Sequence, residues 1–166
     1  MLIKITKKSG RNQLNCIRED GSFTAANLGP SLPLHDIAHF VAEKTFNIEN
    51  GFYGLIEKGY SIQQLSDPTV IKGLGFESWL AEILTRGLQT LLSGACKPEQ
   101  FIWQVKEEIK HMNAEYVFEI NEKLVEEMFL QYTHLIEQWN NLPDGETLEL
   151  NYIPIADNVA KKLTHK

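Results

Sequence analysis

Hydrophobic and polar positions alternate along the first 27 residues. Ile3 and Ile5 are separated by Lys4 and followed by Thr6, and Leu14 and Cys16 are separated by Asn15. A repeat of two is that of a strand with one buried face. The turn-forming stretches "KSGRN" and "EDGS" divide the segment, and a shorter third run begins with Phe23 and Ala25 as its apolar positions. The pattern predicts a small antiparallel meander, which needs a second layer to pack on.

After "NLGPSLP" the period changes. Leu34, Ile37, Ala38, Val41 and Thr45 recur at helical spacing, and Pro33 suits a first helical turn, where its missing N–H costs nothing. A short second helix is expected at "FYGLIEKG", closed by Gly59, and another turn at "IQQLS", capped by Ser61 and stopped by Asp67-Pro68. Residues 69–75 read as a loop. Amphipathic helices follow over 76–93, with Phe76, Leu80, Ile83, Leu84, Leu88 and Leu91 on the apolar face, and over 98–112, with Phe101, Ile102, Val105, Ile109 and Met112 on one face. The longest helix is expected over 114–140, burying Val117, Leu124, Val125, Met128, Tyr132, Leu135 and Trp139. "NLPDGE" stops it, and "TLELNYI" alternates again, so residues 146–152 can return to the N-terminal sheet. The tail from Ala156 reads as frayed or weakly helical.

Strands, then helices, then a strand define an α+β chain that is mostly helical, with a small antiparallel sheet packed on four to five helices. The expected organisation is one domain over 1–166: sheet over 2–27, helices over 33–140 and a final strand over 146–152.

Composition narrows the functions. Hydrophobic residues at 43% and charged residues at 23% fit a globular chain. A net charge of −6 argues against a nucleic-acid backbone or an anionic membrane as the main partner, since both attract basic surfaces. Cys16 and Cys96 are far apart and form no CxxC pair, so neither a disulfide framework nor a zinc ribbon is expected. No apolar run reaches the length of a membrane span, and the N-terminal stretch lacks a secretory pattern, which makes the cytoplasm the expected location.

Candidate chemistry concentrates in "SLPLHDIAHF". Nucleotide loops, the G-x-S-x-G elbow and a Cys–His neighbourhood do not occur; "GLG" at 73–75 lacks the ending of a phosphate loop. His111 and His134 fall opposite the apolar faces of their helices, and His165 is in the tail. His35 and His39 differ. At i and i+4 their rings converge on one side of a helix, and Glu43 continues the stripe at i+8. The expected site is a divalent metal, zinc by ligand type, held by His35, His39 and Glu43, with Glu49 or Glu77 as alternative carboxylates. Asp36 is expected to face outward, near the positive end of the helix, and to orient a ligand or act as a base. The plain alternative is that both histidines are structural and Asp36 only stabilises the helix dipole. The nearby rings of Phe40, Phe46, Phe52, Tyr53 and Tyr60 read as core or as the wall of a ligand pocket, and Gly51 and Gly54 as points of close helix approach.

Two resemblances bear on this stretch. "LGPSLPLHDIAHFVAEKTFNIENGFYGLIEKGYSI" with the later "WNNLPDGETLELNY" resembles a widespread bacterial protein family with a P-x-H-D-x-x-H motif, which implies no particular activity. Locally, "HDIAH" is similar to the HDxxH element of the ubiquinone-biosynthesis protein family, where a later Glu completes a zinc motif. The corresponding position here is Gly51, and the nearest acidic residue is Glu49. The expected function is therefore metal binding with hydrolase-like chemistry. The alternatives are a non-catalytic interaction or regulatory domain and, by analogy with the quinone-pathway proteins, binding of a small apolar molecule. The expected partner is a small molecule or a protein.

Overall fold

The computed structural model describes residues 1–112 and 119–153. Three N-terminal strands, β1 (Leu2–Thr6), β2 (Asn12–Ile17) and β3 (Phe23–Leu28), and a last strand, β4 (Thr147–Asn151), form one antiparallel sheet in the order β3-β2-β1-β4. Register lines up the inward side chains across the strands. Leu150, Ile3, Cys16 and Thr24 form one row, and Leu148, Ile5, Leu14 and Ala26 the next. Ile3, Ile5, Leu14 and Cys16 are fully buried.

The third strand corrects the alternation read from the sequence. Phe23 is 69% exposed, and Thr24, Ala26 and Leu28 point inward instead. Pairing fixes this phase: Cys16 must face Thr24 once Ile17 pairs with Phe23 across the turn. Thr24 then serves a polar purpose, because its buried hydroxyl accepts the Ile62 N–H at 3.1 Å.

Seven helices lie among the described residues: α1 (Leu32–Phe46), α2 (Phe52–Glu57), α3 (Ile62–Leu65), α4 (Pro68–Ile71), α5 (Phe76–Leu92), α6 (Pro98–His111) and α7 (Glu122–Asn141). The expected loop over 69–75 overlaps α4, a single turn nucleated by Pro68 at its start and by Asp67, whose side chain accepts from the Thr69 N–H. The long helix starts later than its apolar repeat suggests. Asn121 caps α7 by accepting from the Leu124 N–H at 2.9 Å, so Glu119 and Ile120 lie outside it. Val117 and the tail from Ala156 lie outside the described residues.

α1 is the central element. It packs on α2, α5 and α7, and every residue from Asp36 to Glu43 is buried. A helix enclosed on all sides has no outward stripe, which is why Asp36, expected to face outward, is only 5% exposed. Among the described residues no helix is long and apolar enough to cross a membrane.

Basic side chains of the sheet close the C-termini of helices. The ammonium of Lys7 donates to the carbonyls of Trp139, Asn140 and Leu142 at 2.9–3.1 Å, at the end of α7. Arg18 does the same for α2, reaching the carbonyls of Ile56 and Tyr60. Lys7→Met keeps most of the stem's packing but orphans three carbonyls at the negative end of a helix dipole. It is expected to cost about 1–2 kcal/mol in chemical denaturation, within the range for charge-assisted bonds at a half-buried position.

Candidate metal centre

Each donor of the site is positioned by a helix with its own reason to be there. α1 begins at "SLP", with Pro33 in its first turn, and carries His35 and His39 one turn apart. α5 runs antiparallel beside it, as the pairings show: His35 Nδ1 lies 3.3 Å from Gln89 Oε1, and His39 Nε2 lies 3.1 Å from Glu82 Oε1. The apolar face of α5, with Leu80, Leu84 and Leu88 fully buried, sets its rotation and leaves Glu82 at the boundary between α1 and solvent. One donor atom each from His35, His39 and Glu82 lie within 4.8 Å of one another, so this group can hold a metal ion. The two imidazoles meet edge to face, with centroids 4.7 Å apart. The ring of Phe52 stands 5.5 Å from His39 and walls that side.

Of the residues expected from the sequence, the structure brings His35 and His39 together and supplies Glu82 as the carboxylate. Glu43 lies elsewhere. Its side chain is fully buried and accepts the N–H groups of Tyr53, at 3.0 Å, and Gly54, at 3.1 Å, at the start of α2. It also contacts His39 Nδ1 at 3.2 Å, on the far side of the ring from Glu82. Glu77, one of the alternatives, accepts the N–H groups of Glu49 and Asn50. Glu82 was legible only as one more polar position of α5. No local motif marks it, because the partner of an HDxxH pair on another helix is chosen by packing. Gly51 and Gly54 do mark close approach. A Cβ on Gly51 would sit 2.6 Å from Glu43 Oε2, and one on Gly54 would run into the Glu49 carbonyl.

The electrostatics follow from burial and pairing. Burial disfavours a charged His39, but its bonds to Glu43 and Glu82 outweigh this and push the ring's pKa up to about 10. Burial and the neighbouring His39 hold His35 below the ordinary histidine range, against the pull of Gln89 and Glu82. One ring is therefore charged and the other neutral. Partial burial works against the Glu82 carboxylate, yet the His39 bond prevails and lowers its pKa; at 48% side-chain exposure Glu82 is the donor open to solvent. Burial pushes the Asp36 carboxyl up to about 7, with His39 opposing and Glu82 adding, and Asp36 Oδ2 finds no partner among the described residues. Burial, helped by Asp36, raises the Cys16 thiol to about 12, which leaves no thiolate for nucleophilic work. His111 and His134 are exposed and outside the cluster.

A groove of about 400 Å³ between α5 and α6 is lined by Ile83, Arg86, Phe101, Trp103 and Glu108 among others. None of the three clustered donors lines it. Family models, curated proteins and solved structures yield no match to this chain, so its chemistry is read from this geometry.

Proposed function

We propose that the protein binds a divalent metal ion through His35, His39 and Glu82, zinc by donor type, and that the ion serves hydrolase-like chemistry. The observation that supports this reading is the convergence of two imidazoles and one carboxylate from two packed helices within 4.8 Å. Two histidines and a carboxylate form a three-ligand set of the kind that leaves a further coordination position open in catalytic zinc sites. An ion so held lowers the pKa of bound water and polarises a carbonyl or phosphoryl oxygen. Half-exposed Glu82 gives the centre a solvent side, whereas Asp36 is buried away from solvent. Asp36 is accordingly a base only for a group that enters the interior, and its first effect is on the charge balance around His39.

Elemental analysis tests the reading. Protein purified without a histidine tag is expected to carry close to one equivalent of a divalent transition metal, with affinity falling as the pH drops. His39→Ala and Glu82→Ala are expected to lose it, because two donors are too few. His111→Ala and His134→Ala are expected to keep it. A metal-free wild type that takes up no zinc at micromolar concentration would end the proposal.

A non-catalytic interaction domain keeps one observation of its own. Trp79 and Trp103 are 49% and 64% exposed near the α5–α6 groove, a feature more common at interfaces than on bare surface. Metal content separates the two readings.

A further inference from the structure

We infer that Glu43 is a positioning residue of the metal centre, locked by the start of α2 so that it holds His39 with Nε2 toward the ion, and that Gly51 is glycine to leave room for it. This rests on the metal-binding reading above and assigns a part to a side chain that the ion itself would not touch.

The bonds fix the direction of the effect. An ionised carboxylate only accepts, so the contact between Glu43 Oε1 and His39 Nδ1 requires the proton on Nδ1. In the ion-free protein Nε2 faces Glu82 at 3.1 Å and carries a proton too. A metal would displace that proton and take the Nε2 lone pair, while Glu43 keeps the proton on Nδ1. Metal-bound histidines commonly donate their other N–H to a carboxylate in this way, which sets ring orientation and strengthens the ligand. His35 shows the same arrangement through a neutral group, with Nδ1 on Gln89 Oε1 and Nε2 left over.

Glu43 is itself held in place. The N–H groups of Tyr53 and Gly54 point at its Oε2, and its side chain has no exposed surface on which to adopt another rotamer. Gly51 completes the fit. Its φ of −78° is ordinary for any residue, so backbone conformation does not call for glycine there. Space does, since a Cβ would meet the Glu43 carboxylate at 2.6 Å. A residue that merely capped α2 would satisfy the N–H groups equally well without bonding to the histidine. The chain thus runs from Gly51, through Glu43, to the orientation of a ligand on the neighbouring turn of α1.

Two substitutions test it, with zinc and cobalt as the probes on the full chain. Glu43→Gln keeps size and can still accept the α2 N–H groups through its carbonyl. Its amide then presents a donor to His39 Nδ1, which favours the ring form with its proton on Nε2. Gly51→Ala leaves every polar group in place and displaces the carboxylate. Zinc affinity, read by competition with a chromophoric chelator, is expected to fall about 10–100-fold in Glu43→Gln, as for other losses of a ligand's hydrogen-bond partner. The visible absorption of the cobalt form is expected to change in both variants. Should Glu43→Gln fail to fold, Gly51→Ala decides alone. Variants that bind zinc as tightly as the wild type with an unchanged cobalt spectrum would overturn the positioning role and leave the metal site standing. A wild type that binds neither ion overturns both.

Discussion

Truncation after Leu142 is expected to abolish cooperative unfolding. The deletion removes β4, and with it Leu148, Leu150 and Tyr152, each at most 6% exposed. It strips β1 of one of its two partners, from the Leu2–Asn151 pair to the Thr6–Thr147 pair. It also takes away the Tyr152 hydroxyl, which donates to the Ile48 carbonyl just beyond α1 and ties the sheet to the central helix. Large buried side chains cost roughly 2–5 kcal/mol each when cut back. Three of them together reach the typical total stability of a domain, about 5–15 kcal/mol. The expected thermal trace, followed by circular dichroism, is a broad, sloping loss of signal. A truncated protein with a sharp transition near that of the full chain would show that β4 is an accessory to the sheet.

Asp36→Asn is expected to change stability in a way that depends on pH. In chelator-treated protein the folded Asp36 carboxyl titrates near 7, against 3.8 as its ordinary value, because burial resists its charge. The sign follows from linkage. The folded state holds this proton more tightly than the unfolded chain, so its stabilising effect is complete below about 4, declines as the pH rises toward 7 and is gone above it. A shift of roughly three pKa units corresponds to about 4 kcal/mol. An amide cannot ionise and escapes this loss. The stability difference between variant and wild type should therefore move toward the variant by up to about 4 kcal/mol between pH 4 and pH 8, measured by urea denaturation at each pH. A difference that stays constant would mean that Asp36 titrates as an ordinary surface carboxylate.

The fold was largely legible because its signals are periodic. Alternation at Ile3, Ile5, Leu14 and Cys16 marked two strands, "TLELNYI" marked the fourth, and the apolar stripes of α5 and α6 marked helices whose ends lie within about a residue of the expected ones. Gly59, at φ +107°, marks a helix end where the sequence placed it. The errors fell where local pattern competes with tertiary context. Phe23 alternates correctly in sequence but out of phase in space, because cross-strand pairing outranks hydrophobicity at the sheet edge. α7 starts at its Asn121 cap and not where its apolar residues begin to repeat.

The candidate site was half legible for a related reason. His35 and His39 share one helix, so spacing alone brings them together. Glu82 reaches them across the α1–α5 contact, and no sequence interval encodes that contact. Asp36, expected to face outward, and Glu43, expected on a boundary stripe, are both buried. Both assignments assumed that α1 has a solvent face, and enclosure of a helix on all sides depends on how many neighbours arrive, not on its own pattern.

That enclosure also bears on how the chain can vary over evolutionary time. From Asp36 to Glu43, eight consecutive positions are buried, so none can accept substitutions that meet only water. Packing alone restricts the turn that carries His39, whether or not an ion is ever bound. Invariance of this stretch among relatives would therefore say little about chemistry. The informative position is Glu82, because it lies on a half-exposed face where packing leaves many residues acceptable. A carboxylate retained there, opposite two retained histidines, would be the mark of selection for a ligand.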